Sequence, residues 1–146
     1  LTPDGSAVYL FEKVDAPQAR VFRFDGPFDP SVIATVEQVA TIATPGTGVP
    51  KGKMITAADL HPSGRRLLLR VYTGIYEYRF GAGQGVDDIA QVGAKQAVLG
   101  PFDEIQGEAV AYDATGVGLW SISEAATLGF VQPLHHYDCE DTGVAR

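Results

Sequence analysis

Positive charge is scarce in this chain of 146 residues, where 11 Lys and Arg stand against 18 Asp and Glu for a formal charge of −7. A surface of that sign repels polyphosphate and anionic lipid, so neither nucleic acid nor membrane is an expected partner, and a cationic ligand is easier to hold. Cysteine is limited to Cys139. A single thiol cannot close an internal disulfide, although it can pair with a residue outside the chain. Long apolar runs are missing: none approaches the roughly 18 to 20 residues that a membrane helix needs, and no membrane contact is expected from this segment. An initiator Met and a signal-like run are missing as well, and the chain opens on Leu1 inside a turn motif, so it reads as a fragment.

What the chain has is a repeat. Ile55 to Phe80 (ITAADLHPSGRRLLLRVYTGIYEYRF) runs strand, Pro-Ser-Gly turn, strand, strand, and the same punctuation returns around Gly5 and Gly116. The three glycines, Gly5, Gly64 and Gly116, stand 59 and 52 residues apart, which suits a four-stranded propeller blade with long outer loops. Val, Ile, Tyr, Phe and Thr dominate the apolar runs and Gly or Pro interrupts them, which disfavours helix. The expected fold is all-β: one partial β-propeller domain over residues 1–146. It comprises about three blades of antiparallel four-stranded type, near 1–50, 51–102 and 103–146, with the outer two incomplete.

Within that scheme the second blade should hold strands at Ile55 to Leu60, Leu67 to Tyr72, Ile75 to Phe80 and Gln96 to Leu99. A helical turn is expected around Val86 to Gln91. Leu67 to Tyr72 is apolar on both faces apart from Arg70, as in a strand covered by neighbouring blades on either side. The first blade is expected to lack its innermost strand and to use Ala7 to Glu12, Arg20 to Asp25 and Val32 to Ala43. The one rival to the outer strand is a short helix over Ser31 to Thr41, capped by Ser31. The third should supply Glu108 to Tyr112, Gly118 to Ser123 and Phe130 to Tyr137.

Aligning the turns by their glycines places Lys13, Tyr72 and Glu124 in one row, each eight residues beyond its glycine, and Thr56 with Glu108, each eight before. Equivalent positions in a propeller share one height around the axis, so these rows should converge. Arg70, two residues before Tyr72, joins them. A guanidinium in an apolar strand calls for a carboxylate, with Glu108 the first candidate and Asp59 the second. Lys13, Thr56, Arg70, Tyr72, Glu108 and Glu124 are therefore the candidate ligand-binding residues, either as a funnel or as an inter-blade lattice. No catalytic residue, metal ligand or cofactor is assigned. His135 and His136, adjacent on a strand, point to opposite faces and cannot readily chelate one ion with Asp138, Glu140 or Asp141. Asp87-Asp88 lacks the pattern of a calcium loop, and Ser121 and Ser123 lack the sequence of a nucleophile elbow.

Three segments, ITAADLHPSGRRLLLRVYTGIYEY, QGEAVAYDATG and Ser123-Glu124, together resemble a group of bacterial propeller proteins described as WD40-like or quinoprotein-like, secreted or lipid-anchored. Val71, Ala57 and Ala125 depart from that group, which has threonine, glycine and glycine there. The resemblance implies an extracytoplasmic, bacterial parent about twice as long, with the missing blades upstream, and it implies architecture rather than chemistry. The function expected is a non-enzymatic binding or interaction module. The alternative is a hydrolase resembling the esterase-like phytase propellers, with Lys13, Arg70, Glu108 and Glu124 handling a metal or phosphate. Exposed end blades are expected to drive self-association into an oligomer.

Overall fold

The three glycine turns are one structure repeated. Gly5, Gly64 and Gly116 hold φ of 73°, 71° and 73°, a left-handed conformation that costs a residue with a Cβ about 1–2 kcal/mol. Each glycine N–H donates to the carbonyl three residues back, at Thr2, His61 and Asp113, over 2.9, 2.7 and 3.0 Å. The next polar contact repeats in the second and third turns, where His61 Nδ1 accepts from the Ser63 N–H and Asp113 from the Thr115 N–H; in the first, Asp4 accepts from the Ser6 N–H on the other side of the glycine.

Each turn releases an antiparallel sheet. The computed structural model describes residues 1–46, 51–99, 104, 106–124 and 131–139, and among them ten strands form three sheets. The first has the order β1 (Ala7–Phe11), β2 (Gln18–Asp25), β3 (Glu37–Ala43). In the second, β4 (Ile55–Leu60), β5 (Arg66–Val71), β6 (Gly74–Arg79) and β7 (Lys95–Leu99) run from inside to outside. The third has β8 (Gly107–Tyr112), β9 (Gly118–Ser123) and β10 (His135–Asp138). Strands β1, β5 and β9 follow the turns and are equivalent, and β4 and β8 precede them as innermost strands. The first sheet has no such strand among the described residues; the Thr2 N–H donates to the Ala7 carbonyl at 2.8 Å, as His61 does to Arg66 and Asp113 to Gly118 beside the other two turns.

Period-two alternation along β5 explains the stacking. Leu67, Leu69 and Val71 face the first sheet and join Ala19, Val21, Ile42, Tyr78 and Phe80 in one core. Leu68 faces the third, with Ile75, Val110, Tyr112 and Leu119. Leu67 to Val71 are all buried, more completely than β6, as a strand between two neighbours requires. Each fully buried leucine is worth about 1.5–3 kcal/mol.

Two expectations shift. The 31–41 stretch is a strand only from Glu37; Ser31 caps no helix, and its N–H and hydroxyl instead donate to Asp29 Oδ1 at 2.8 and 2.7 Å. Of the strand expected over Phe130 to Tyr137, only His135 onward is extended pairing, and Phe130 lies outside the described residues. The helical turn is a 3-10 helix at Val86–Gln91, opened by the Gly85 N–H donating to Asp88 at 3.0 Å, and it drops Val86 and Ile89 into the first core.

Candidate functional site

Arg70 lies at the end of β5 on the side of the third sheet. Its guanidinium meets Glu104 at 2.5 Å, with both side chains wholly buried. Nη1 donates to Ser121 Oγ at 2.7 Å, and that hydroxyl donates to the Glu104 carboxylate at 2.8 Å. The expected partner, Glu108, is elsewhere, and so is Asp59, which accepts the Tyr112 N–H at 2.7 Å across the two inner strands. The reason is Gly107. A Cβ there would collide with the guanidinium, so the missing side chain opens the path past β8 to β9 and Glu104. Sealed in this way, Arg70 cannot touch a phosphate or any other solute. Ser121, 1% exposed and held by its neighbours, cannot act as a nucleophile on a substrate.

Of the remaining row residues, Lys13, Tyr72 and Glu108 come together. Lys13, just after β1 in the first blade, puts its ammonium 5.0 Å from the centre of the Tyr72 ring at the β5–β6 turn of the second and 3.2 Å from Glu108 on β8 of the third. Its contact with Tyr72, then its pairing with Glu108, hold the ammonium above its ordinary pKa. Thr56 donates to the Gly107 carbonyl at 2.6 Å, which ties the starts of β4 and β8 together. Glu124 is exposed; its backbone N–H is fixed on the Gln106 carbonyl at 2.8 Å. All of these belong to one end of the sheets, because β4 and β8 begin where β5 and β9 finish.

The opposite end holds a network that turn alignment does not reveal. Glu77 on β6 accepts from Tyr112 OH at 2.9 Å and pairs with Arg79 at 2.5 Å and Arg66 at 3.5 Å. Arg66 donates to the Gly116 carbonyl at 2.8 Å and contacts His61, whose ring stands edge-on to Tyr112. Burial, followed by the Glu77 charge, raises the Tyr112 phenol, and burial pushes the nearby Cys139 thiol up. Between the first two sheets, Asp87 accepts from Tyr9 OH at 3.0 Å and pairs with Arg23 at 2.5 Å. Glu77, Asp87 and Glu104 were invisible to the turn alignment because no spacing from the turn glycines links them to Tyr112, Arg23 and Arg70, their partners across the blades. His135 and His136 do point to opposite faces: His135 stands 3.8 Å from Glu104, whereas His136 packs against Trp120. Glu140 and Asp141 lie outside the described residues.

Antiparallel sheets ordered from inner to outer strand, stacked face to face with β4 against β8, make this chain a β-propeller segment of three blades, the outer two with three described strands each. It is similar in structure to TolB from Acinetobacter baumannii, with a TM-score of 0.52 and 15% identity over 99% of this chain and 30% of TolB. The likeness shows the fold alone, and the chain spans 30% of TolB's length. No family model matches the chain, and no curated protein matches it in sequence.

Proposed function

We propose that this chain is part of a non-enzymatic propeller of the WD40-like or quinoprotein-like bacterial group, a binding module that works outside the cytoplasm. Its ligand or protein partner engages the axial end formed by Lys13, Thr56, Tyr72, Glu108 and Glu124, with the Arg70 group as a rigid support beneath. The observation that carries this reading is the meeting of three blades at Lys13, Tyr72 and Glu108. The Lys13 and Glu108 side chains are 44% and 27% exposed, so the pair adds only about 0–1 kcal/mol to stability and is open to exchange. The charge of −7 and the tyrosine face favour a cationic group on the partner, an ammonium or guanidinium that displaces Lys13. Residence outside the cytoplasm is what the resemblance of the segments ITAADLHPSGRRLLLRVYTGIYEY, QGEAVAYDATG and Ser123-Glu124 to that bacterial propeller group implies. The hydrolase alternative is disfavoured, because Lys13 already engages Glu108 and Arg70 does not reach solvent.

The test uses tetralysine and tetraglutamate peptides as probes in protein-detected NMR. Tetralysine should shift the signals of Tyr72, Glu108 and Glu124 saturably and tetraglutamate should not. A Glu108→Gln/Glu124→Gln variant should lose the response at an unchanged melting temperature. Equal responses to both peptides, or shifts confined to other residues, would refute the reading.

A further inference from the structure

The cation subsite at the axial end is filled by the protein itself. Lys13 Nζ donates to both oxygens of Glu108, at 3.2 and 3.3 Å, while it stands 5.0 Å from the centre of the Tyr72 ring. A carboxylate together with a π face is the setting that a free alkylammonium would seek.

The two ends of the ion pair are not anchored alike. Glu108 lies on β8, and the backbone before it is tied down: the Gly107 carbonyl accepts from Thr56 Oγ1 at 2.6 Å and the Gln106 carbonyl from the Glu124 N–H at 2.8 Å. Lys13 follows β1 outside any strand, and its side chain is nearly half exposed on a flexible four-carbon stem. An exposed pair of this kind holds by at most about fivefold over the open state. Lys13 is therefore the member that can leave while Glu108 and Tyr72 stay.

We propose that Lys13 is a tethered competitor for this subsite: it holds the place of a primary ammonium on the partner, leaves when that ammonium binds, and so raises the concentration at which binding occurs. The inference rests on the cationic partner proposed above and adds which cation is taken and what restrains its entry. Lys13 meets Glu108 through N–H donors, so the subsite is fitted to an ammonium that carries hydrogens. A trimethylammonium has the same charge and no donor, and its methyl groups hold the carboxylate farther off. A partner with several amines can engage Glu108 and the exposed Glu124 together, which one tethered ammonium cannot, and it overcomes the competitor in that way.

The experiment follows the ε-methylene signal of Lys13 by NMR in the whole chain. In the free protein the Tyr72 ring current should hold it upfield, and tetralysine should return it to its ordinary position, saturably and in step with the shifts of Glu108. Tetralysine trimethylated on every side-chain amine should bind more weakly by about two- to tenfold, the worth of one hydrogen bond. Lys13→Met should tighten tetralysine by about two- to fivefold. Arg65→Gln removes the same charge at the opposite end of the sheets and should change it less. Tetralysine that shifts Glu108 while Lys13 stays upfield, a Lys13→Met chain that gains no more than Arg65→Gln, or a trimethylated peptide that binds as tightly as the unmodified one would each overturn the proposal and leave the cationic partner standing. Failure of tetralysine to bind either the parent or Lys13→Met would overturn both.

Discussion

The guanidinium of Arg70 and the carboxylate of Glu104 meet at 2.5 Å with neither side chain in contact with solvent. Arg70 belongs to the second blade, and Glu104 lies on the connection that leads into the third. The pair, bridged by Ser121, therefore fixes how one blade sits on the next.

Removing one partner leaves a charge buried alone. Arg70→Leu or Glu104→Gln should each lower the free energy of unfolding by about 3–5 kcal/mol, read from urea denaturation. Arg70 Nε has no acceptor among the described residues, so the pair is incompletely satisfied. An Arg70→Met/Glu104→Leu double variant should accordingly recover most of the loss. Single variants that unfold at the parent's midpoint would show that the pair does not hold the seam.

Glycine is required for different reasons at Gly5 and Gly107, and alanine separates them. Gly5 has φ of 73° with open space where a Cβ would be, so Gly5→Ala should cost about 1–2 kcal/mol of backbone strain. Gly107→Ala drives a methyl into the Arg70 guanidinium. It should disrupt the ion pair too and cost more, about 3–5 kcal/mol. Equal melting temperatures for the two variants would contradict this account.

His61 makes stability depend on pH near neutrality. Burial first, then the Arg66 charge, hold its imidazole below the ordinary 6.5. Glu77 and Asp113 face it as well and act in the opposite sense. The folded chain thus favours the neutral ring, and the unfolded chain binds more protons as pH falls through 6.5. The stabilisation is complete above that pH and is lost on the way down through the folded value. A second loss should follow in strong acid, where Asp4, held at about 2 by hydrogen bonds from Thr2 and Ser6, takes up its proton. Denaturation midpoints between pH 7.5 and 5.5 should fall in the parent and stay flat in His61→Gln. A parent with no slope there would contradict the assignment.

Self-association should follow from the two end faces. Val8, Leu10, Phe22 and Phe24 share the outward face of the first blade through the pairs Val8 with Phe24 and Leu10 with Phe22. On the third blade Trp120 stands beside Ala111. With Leu10 48% and Trp120 39% exposed, both faces have apolar surface to cover. Two copies joined first blade to third would close six blades with two-fold symmetry. Light scattering should report twice the monomer mass at micromolar concentration, and Leu10→Lys/Trp120→Lys should restore the monomer. A parent that is monomeric throughout the concentration range would rule the association out.

The strands were legible because their causes are local. Gly5, Gly64 and Gly116 announce turns that need a left-handed residue, and the β-branched and aromatic runs after them have no stable alternative. Where local signals competed, as around Ser31 to Thr41, position in the sheet decided: pairing of β3 with β2 begins at Glu37. The candidate site was legible by half. Lys13, Tyr72 and Glu108 converge because equivalent positions of stacked blades share a height. The partner of Arg70 does not follow from that rule, since Glu104 lies outside the repeat in a connecting segment.

By itself the sequence determined the period of the repeat, the turn conformations and the two-sided burial of Leu67 to Val71, all consequences of backbone sterics and alternation along a strand. Only the tertiary structure decided which charges meet. The route of Arg70 past Gly107 to Glu104 and Ser121 and the reach of Lys13 to Glu108 depend on how far one blade is turned and shifted against the next. Side-chain packing across whole sheets sets that rotation, and no short stretch of residues encodes it.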